Sequence, residues 1–119
     1  MWRHLFPPNC PPSQAAYEDI DPVYRLVASY HITVDDFKPN LVKFPNKNYQ
    51  NNCLAAGISV FEDYNAITAI QQRIPAFKNK LISKGNITRK DGEIKRGNNH
   101  HITWWLNLNN PQNKFKVIP

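Results

Sequence analysis

The chain has 119 residues, a net charge of +6 and an apolar fraction of 41%, which suits one domain and leaves no room for two ordinary ones. No run approaches the 18 apolar residues that a membrane-spanning helix needs, and the charged start at Met1–Pro8 has no apolar stretch behind it, so it does not read as a secretory signal. The expectation is a cytoplasmic protein without a membrane association. On that expectation Cys10 and Cys53 are reduced, unpaired thiols with structural roles.

Charge is unevenly placed. Residues 1–70 hold five Lys/Arg against seven Asp/Glu, whereas residues 71–119 hold ten against two, Asp91 and Glu93. Such an asymmetry points to a partner that is anionic, either nucleic acid or an acidic protein.

In chain order, residues 1–22 carry five prolines and read as an extended arm lying on a surface rather than as a helix. The domain proper is then 23–119. Val23–Ala28 is rich in β-formers and reads as the first strand, and the Asn- and Pro-bearing stretch 38–52 reads as a loop. Cys53–Phe61 is the most apolar stretch and is predicted to include a central strand. Asp63 is placed to cap a helix whose inward face is Ile67, Ile70 and Ile74, with Pro75 as its stop. Lys80–Lys84 and Glu93–Lys95 read as strands around a turn at Asp91–Gly92. His101–Leu106 is another strand, and Lys114–Ile118 closes the chain by alternation. The fold class is therefore α+β, a small, mostly antiparallel sheet with one main helix.

Alternation along His101–Leu106 puts Ile102, Trp104 and Leu106 on one face and His101, Thr103 and Trp105 on the other. A Trp beside a His and a hydroxyl suits stacking on a base, so these three are candidate contacts, with Lys84, Arg89, Lys90, Lys95 and Arg96 supplying charge. Lys78 and Lys80 belong to the same basic stretch. His100 and His101 point apart on a strand, and neither Cys-x-x-Cys nor His-Glu-x-x-His occurs, so no metal site is expected. No phosphate-cradling glycine loop or Gly-x-Ser-x-Gly elbow is present either. The leading expectation is a non-enzymatic basic binding module in a larger assembly, with no cofactor. A structural subunit docking through its arm is a further alternative.

Arg25 within Val23–Val27, Ser59 within Gly57–Phe61 and Glu93 within Gly92–Ile94, in that order, resemble the ADP-ribosyltransferase-like fold. The resemblance implies NAD as cofactor, Arg25 on its phosphates, Ser59 propping the site and Glu93 stabilising an oxocarbenium-like transition state. The family's Ser-Thr-Ser and the acidic or amide residue paired with its glutamate are not present. The stretch Cys53–Leu106 also resembles small bacterial proteins without an assigned activity.

Overall fold

A computed structural model describes residues 2–119. Its centre is one antiparallel sheet of six strands, β1 (Ile20–Val27), β2 (Ile58–Phe61), β3 (Leu81–Ile87), β4 (Gly92–Arg96), β5 (His101–Leu106) and β6 (Lys116–Val117), in the spatial order β4-β5-β2-β1-β3-β6. Three helices accompany it: α1 (Asn40–Lys43), α2 (Asn52–Ala55) and α3 (Tyr64–Arg73). The α+β class read from the sequence is what the chain adopts. Among the described residues no helix is long and apolar enough to cross a membrane.

The strand assignments shift in informative ways. β1 begins at Ile20, inside the stretch assigned to the arm, and carries Pro22 in its interior. Proline has no N–H to give a ladder, so it is tolerated in a central strand only where the ladder is already interrupted. The register with β3 slips there: Ile20 faces Ile87 while Val23 faces Gly85, leaving one extra residue on β1 as a bulge. The apolar stretch from Cys53 divides, its first half forming α2 and only Ile58–Phe61 forming β2. Residues 38–52 include the single turn of α1 within the expected loop.

The strands on either side of Asp91 do not pair with each other. β3 joins β1 and β6, and β4 joins β5. Asp91 turns the chain between them: its carboxylate accepts from the Thr88 amide at 2.7 Å and the Thr88 hydroxyl at 2.9 Å, and Lys114 reaches the same oxygen. Burial works upward on the Asp91 carboxyl, but the Lys114 and Thr88 donors outweigh it and hold the pKa below the usual value. The hairpin in this region is β4–β5, closed by Asn99 and His100 with φ of 57° and 63° and a bond from His101 N–H to the Asn98 carbonyl, the type I′ geometry that matches strand twist. Gly92 takes φ +119°, and a Cβ there would collide with the Trp105 carbonyl.

One face of the sheet buries Val23, Ile58, Val60, Ile87, Ile94, Ile102 and Trp104 against Phe37 and Phe115. The other packs Phe61 and Ile82 against Ile67 of α3. α3 starts where the sequence indicates: the Asp63 carboxylate accepts from the Ala66 amide at 3.0 Å. Ile67 is fully buried, Ile70 and Ile74 partly, and Ile74 ends the helix in extended geometry before Pro75.

The cysteines are not free thiols. Cys10 and Cys53 form a disulfide, with Cα atoms 5.5 Å apart. Forty-three residues separate them, so proximity arises only when the N-terminal segment lies along the β4–β5 end of the sheet. It does so through a bridge of Ala16 to Ile94, the Tyr17 hydroxyl donating to Glu93 at 2.8 Å, and Arg3 near Glu93 at 3.8 Å. Donation to that carboxylate raises the Tyr17 pKa. Closing a loop of this size removes about 4 kcal/mol of unfolded-chain entropy in the loop-closure description.

A candidate anion-binding cleft between two splayed strands

β1 and β2 meet in register at a single pair, Tyr24 with Phe61. Continued pairing would set Leu26 against Ser59, but the strands part instead. Arg25 occupies the opening: its Nε donates to the Asp36 carbonyl at 2.8 Å and its Nη1 to the Ser59 carbonyl at 2.6 Å, while the guanidinium lies 5.5 Å from the centre of the Phe37 ring. A side chain thus satisfies a strand carbonyl that a neighbouring strand would otherwise take. On the far side of β1, the fully buried Ser83 hydroxyl donates to the Arg25 carbonyl at 2.8 Å.

Local chemistry explains why β1 stops pairing. The Ala28 amide donates to Asp36 Oδ1, and the Thr33 amide to Asp36 Oδ2, both at 3.0 Å, in a capping box that folds residues 28–36 back over the strand end. The result is a cleft of ≈ 600 Å³ between the parted strands, with Arg25, Asp36, Lys43, Ser59, Phe61 and Lys80 among its lining. Burial lowers the Arg25 pKa to about 10, with Asp36 acting in the opposite sense. Burial also lowers the Lys43 pKa, and the neighbouring Arg25 and Lys80 charges lower it further. Arg25 Nη2 makes no hydrogen bond to a described residue.

At the rim, His101 Nε2 lies 2.8 Å from Ser59 Oγ, and burial lowers the His101 pKa, so the imidazole is neutral at neutral pH. A neutral His against a Ser hydroxyl is the contact a nucleophile–base pair requires, but no described side chain holds the other ring nitrogen, as an orienting acid would.

The residues singled out from the sequence separate into three places. Arg25, Ser59, His101 and Thr103 gather at the cleft and its rim, Thr103 directly opposite Ser59 in register. Glu93 is two strands from Ser59, beyond β5, where it faces Trp105 and is engaged by Tyr17 and Arg3. The cations of the basic half are scattered. Arg96 is held by Glu62 at 2.9 and 3.0 Å and by Glu18 at 2.7 Å, which raises its pKa, Glu62 contributing most and Glu18 next. Arg89 stands near Asp19 at 3.8 Å. Lys84, Lys90 and Lys95 are exposed, with no ion pair among the described residues.

Trp105 is not an exposed stacking platform; it is fully buried, and its indole N–H donates to the Cys53 carbonyl at 2.8 Å. The alternation along β5 is as expected, Trp104 and Trp105 pointing to opposite faces. The face that receives Trp105 is closed by α2 and the disulfide-tethered segment, which strand periodicity cannot reveal. The sequence reading passed over Lys43 and Asp36. A Thr33-x-x-Asp36 capping pattern was there to mark Asp36, but nothing local links Lys43 to Arg25.

Among the described residues no three His, Cys, Asp or Glu side chains come together as a metal site. No protein-family model matches the chain, and no curated protein and no solved structure matches it either.

Proposed function

We propose that the protein is a small basic binding module that takes an anionic ligand in the β1–β2 cleft. The observation that carries this reading is that Arg25, Lys43 and Lys80 line one cleft; burial there holds Arg25 and Lys43 below their ordinary pKa values, and the like charges of Arg25 and Lys80 lower Lys43 further. Cations desolvated and set against one another are relieved by an incoming anion, and that relief favours binding. Asp35 and Asp36 offset only part of the charge, and Asp36 is already occupied by two backbone amides.

An extended polyanion platform has less support, since Arg96 and Arg89 face carboxylates and Trp105 is inside. The NAD reading rests on Arg25 and Ser59 alone, with Glu93 placed elsewhere. A disulfide is at home in oxidising compartments, so we place the protein's work in one rather than in the cytoplasm.

The test is calorimetric titration at physiological salt with pyrophosphate, NAD, a short single-stranded oligonucleotide and an oligoglutamate peptide. At least one should bind, and Lys43→Ala should weaken it about tenfold, a loss of about 1.4 kcal/mol. Absence of binding to all four, or equal binding by Lys43→Ala, would remove the cleft as the site.

A further inference from the structure

The walls of the cleft carry two chemistries, and the second narrows what the ligand is. Beside the charged groups stand Ile58, Phe61, Ile70, Phe77 and Leu54. Phe61 and Ile70 extend the apolar cluster beneath α3, so that this wall continues a hydrophobic core rather than a hydrated surface. Leu54 is 50% exposed on α2, a large aliphatic side chain with nothing described covering it. Lys43 stands at the end of α1, which packs against α2, so charge and exposed aliphatic surface meet at one opening.

A bare inorganic anion would use the cations and leave this apolar wall wet. A volume of ≈ 600 Å³ lies in the range of sites that enclose an organic molecule, typically about 300–1,000 Å³. Arg25 is already fixed through Nε and Nη1, so its orientation is set before any ligand arrives.

We propose that the ligand is an amphipathic organic acid, its carboxylate or phosphate on Arg25 and Lys43 and its aliphatic or aromatic body along Phe61, Phe77 and Leu54. This rests on the anion-binding reading above and adds the apolar half of the ligand. Transferring each methylene from water to the apolar wall tightens binding by roughly three- to fourfold until the tail outgrows the cleft.

The experiment titrates the full chain with straight-chain alkanoates from butanoate to decanoate, with the matching primary alcohols, and with inorganic phosphate. Affinity should rise roughly threefold per methylene along the acids and then level off, and the alcohols should bind at least tenfold more weakly than acids of equal length. Lys43→Ala should weaken every acid by a similar factor. Leu54→Ser, at an exposed position where folding is not at stake, should flatten the chain-length dependence and spare butanoate; a thermal melt confirms that both variants fold. Phosphate and all acids binding with one affinity would overturn the amphipathic proposal and leave the anion reading standing. Alcohols binding as tightly as acids, or no acid and no phosphate binding at all, would overturn both.

Discussion

Two regions of the sheet, its β4–β5 end and its central β1–β2 split, treat charge in opposite ways. At the β4–β5 end, Arg96 sits between Glu18 and Glu62, Arg3 reaches Glu93, and a disulfide fastens the N-terminal segment down over Trp105. At the β1–β2 split, Arg25, Lys43 and Lys80 crowd one another in the cleft, and the strands stand apart around them. The basic half of the sequence is thus quieter than its charge count indicates, because the acids of the first half are folded onto it. Two of the cations that crowd the cleft, Arg25 and Lys43, come from the half of the chain that is acidic on balance. Net charge per segment describes solubility; where the field lies depends on which segments meet.

The contrast can be broken most severely at Trp105. If its ring is core at the closed end, Trp105→Ala should cost about 3–5 kcal/mol in denaturant unfolding. A loss under about 0.5 kcal/mol, the range of ordinary surface changes, would return the ring to the surface and restore it as a ligand contact.

Next in size is the staple itself. Cys10→Ser should lower stability by about 4 kcal/mol, and reductant should move the wild-type unfolding midpoint in the same direction while leaving the variant's unchanged. Thiol alkylation of unfolded, unreduced protein should label neither cysteine. Two labels per chain would show that the closed end is held by packing alone.

The smallest effect belongs to the split. Because burial depresses the His101 pKa below the ordinary imidazole value of 6.5, the unfolded chain binds the proton first on acidification. Stability linked to His101 is fully present above pH 6.5 and is lost as pH falls through the lower, folded value. His101→Gln should therefore lose less stability than wild type between neutral and mildly acidic pH. Parallel curves for the two proteins would mean that the ring is freely hydrated and that the Ser59 contact does not bury it.

Local signals were legible in the sequence where the physics is local. The α3 cap at Asp63, its stop at Pro75 and the β5 span His101–Leu106 all follow from neighbours within a few residues. The β4–β5 hairpin carried its own mark in Gly97-Asn98-Asn99, which the sequence reading passed over in favour of Asp91-Gly92. What could not be read is what covers what. Alternation placed Trp105 on the correct face but could not say that Cys53 lies on that face, and neither cysteine announces a partner 43 residues away. Of the candidate site, Arg25 and Ser59 were picked out for other reasons, and Lys43 was not, because its relation to Arg25 exists only once β1 and β2 part.

β1 leaves the ribosome before any of the strands that will flank it. Its main partner spans Leu81–Ile87, and the Ile20–Ile87 pair closes only after a further 67 residues have been made, roughly 3–13 s at ordinary synthesis rates. During that interval Val23, Tyr24, Leu26 and Val27 have no lasting cover, a hydrophobic strand of the kind that chaperones hold. Cys10 and Cys53 are both available well before β3 emerges, so the cross-link can tie the nascent chain into a ring while β1 and β2, the two central strands, still lack every strand that will flank them as a pair.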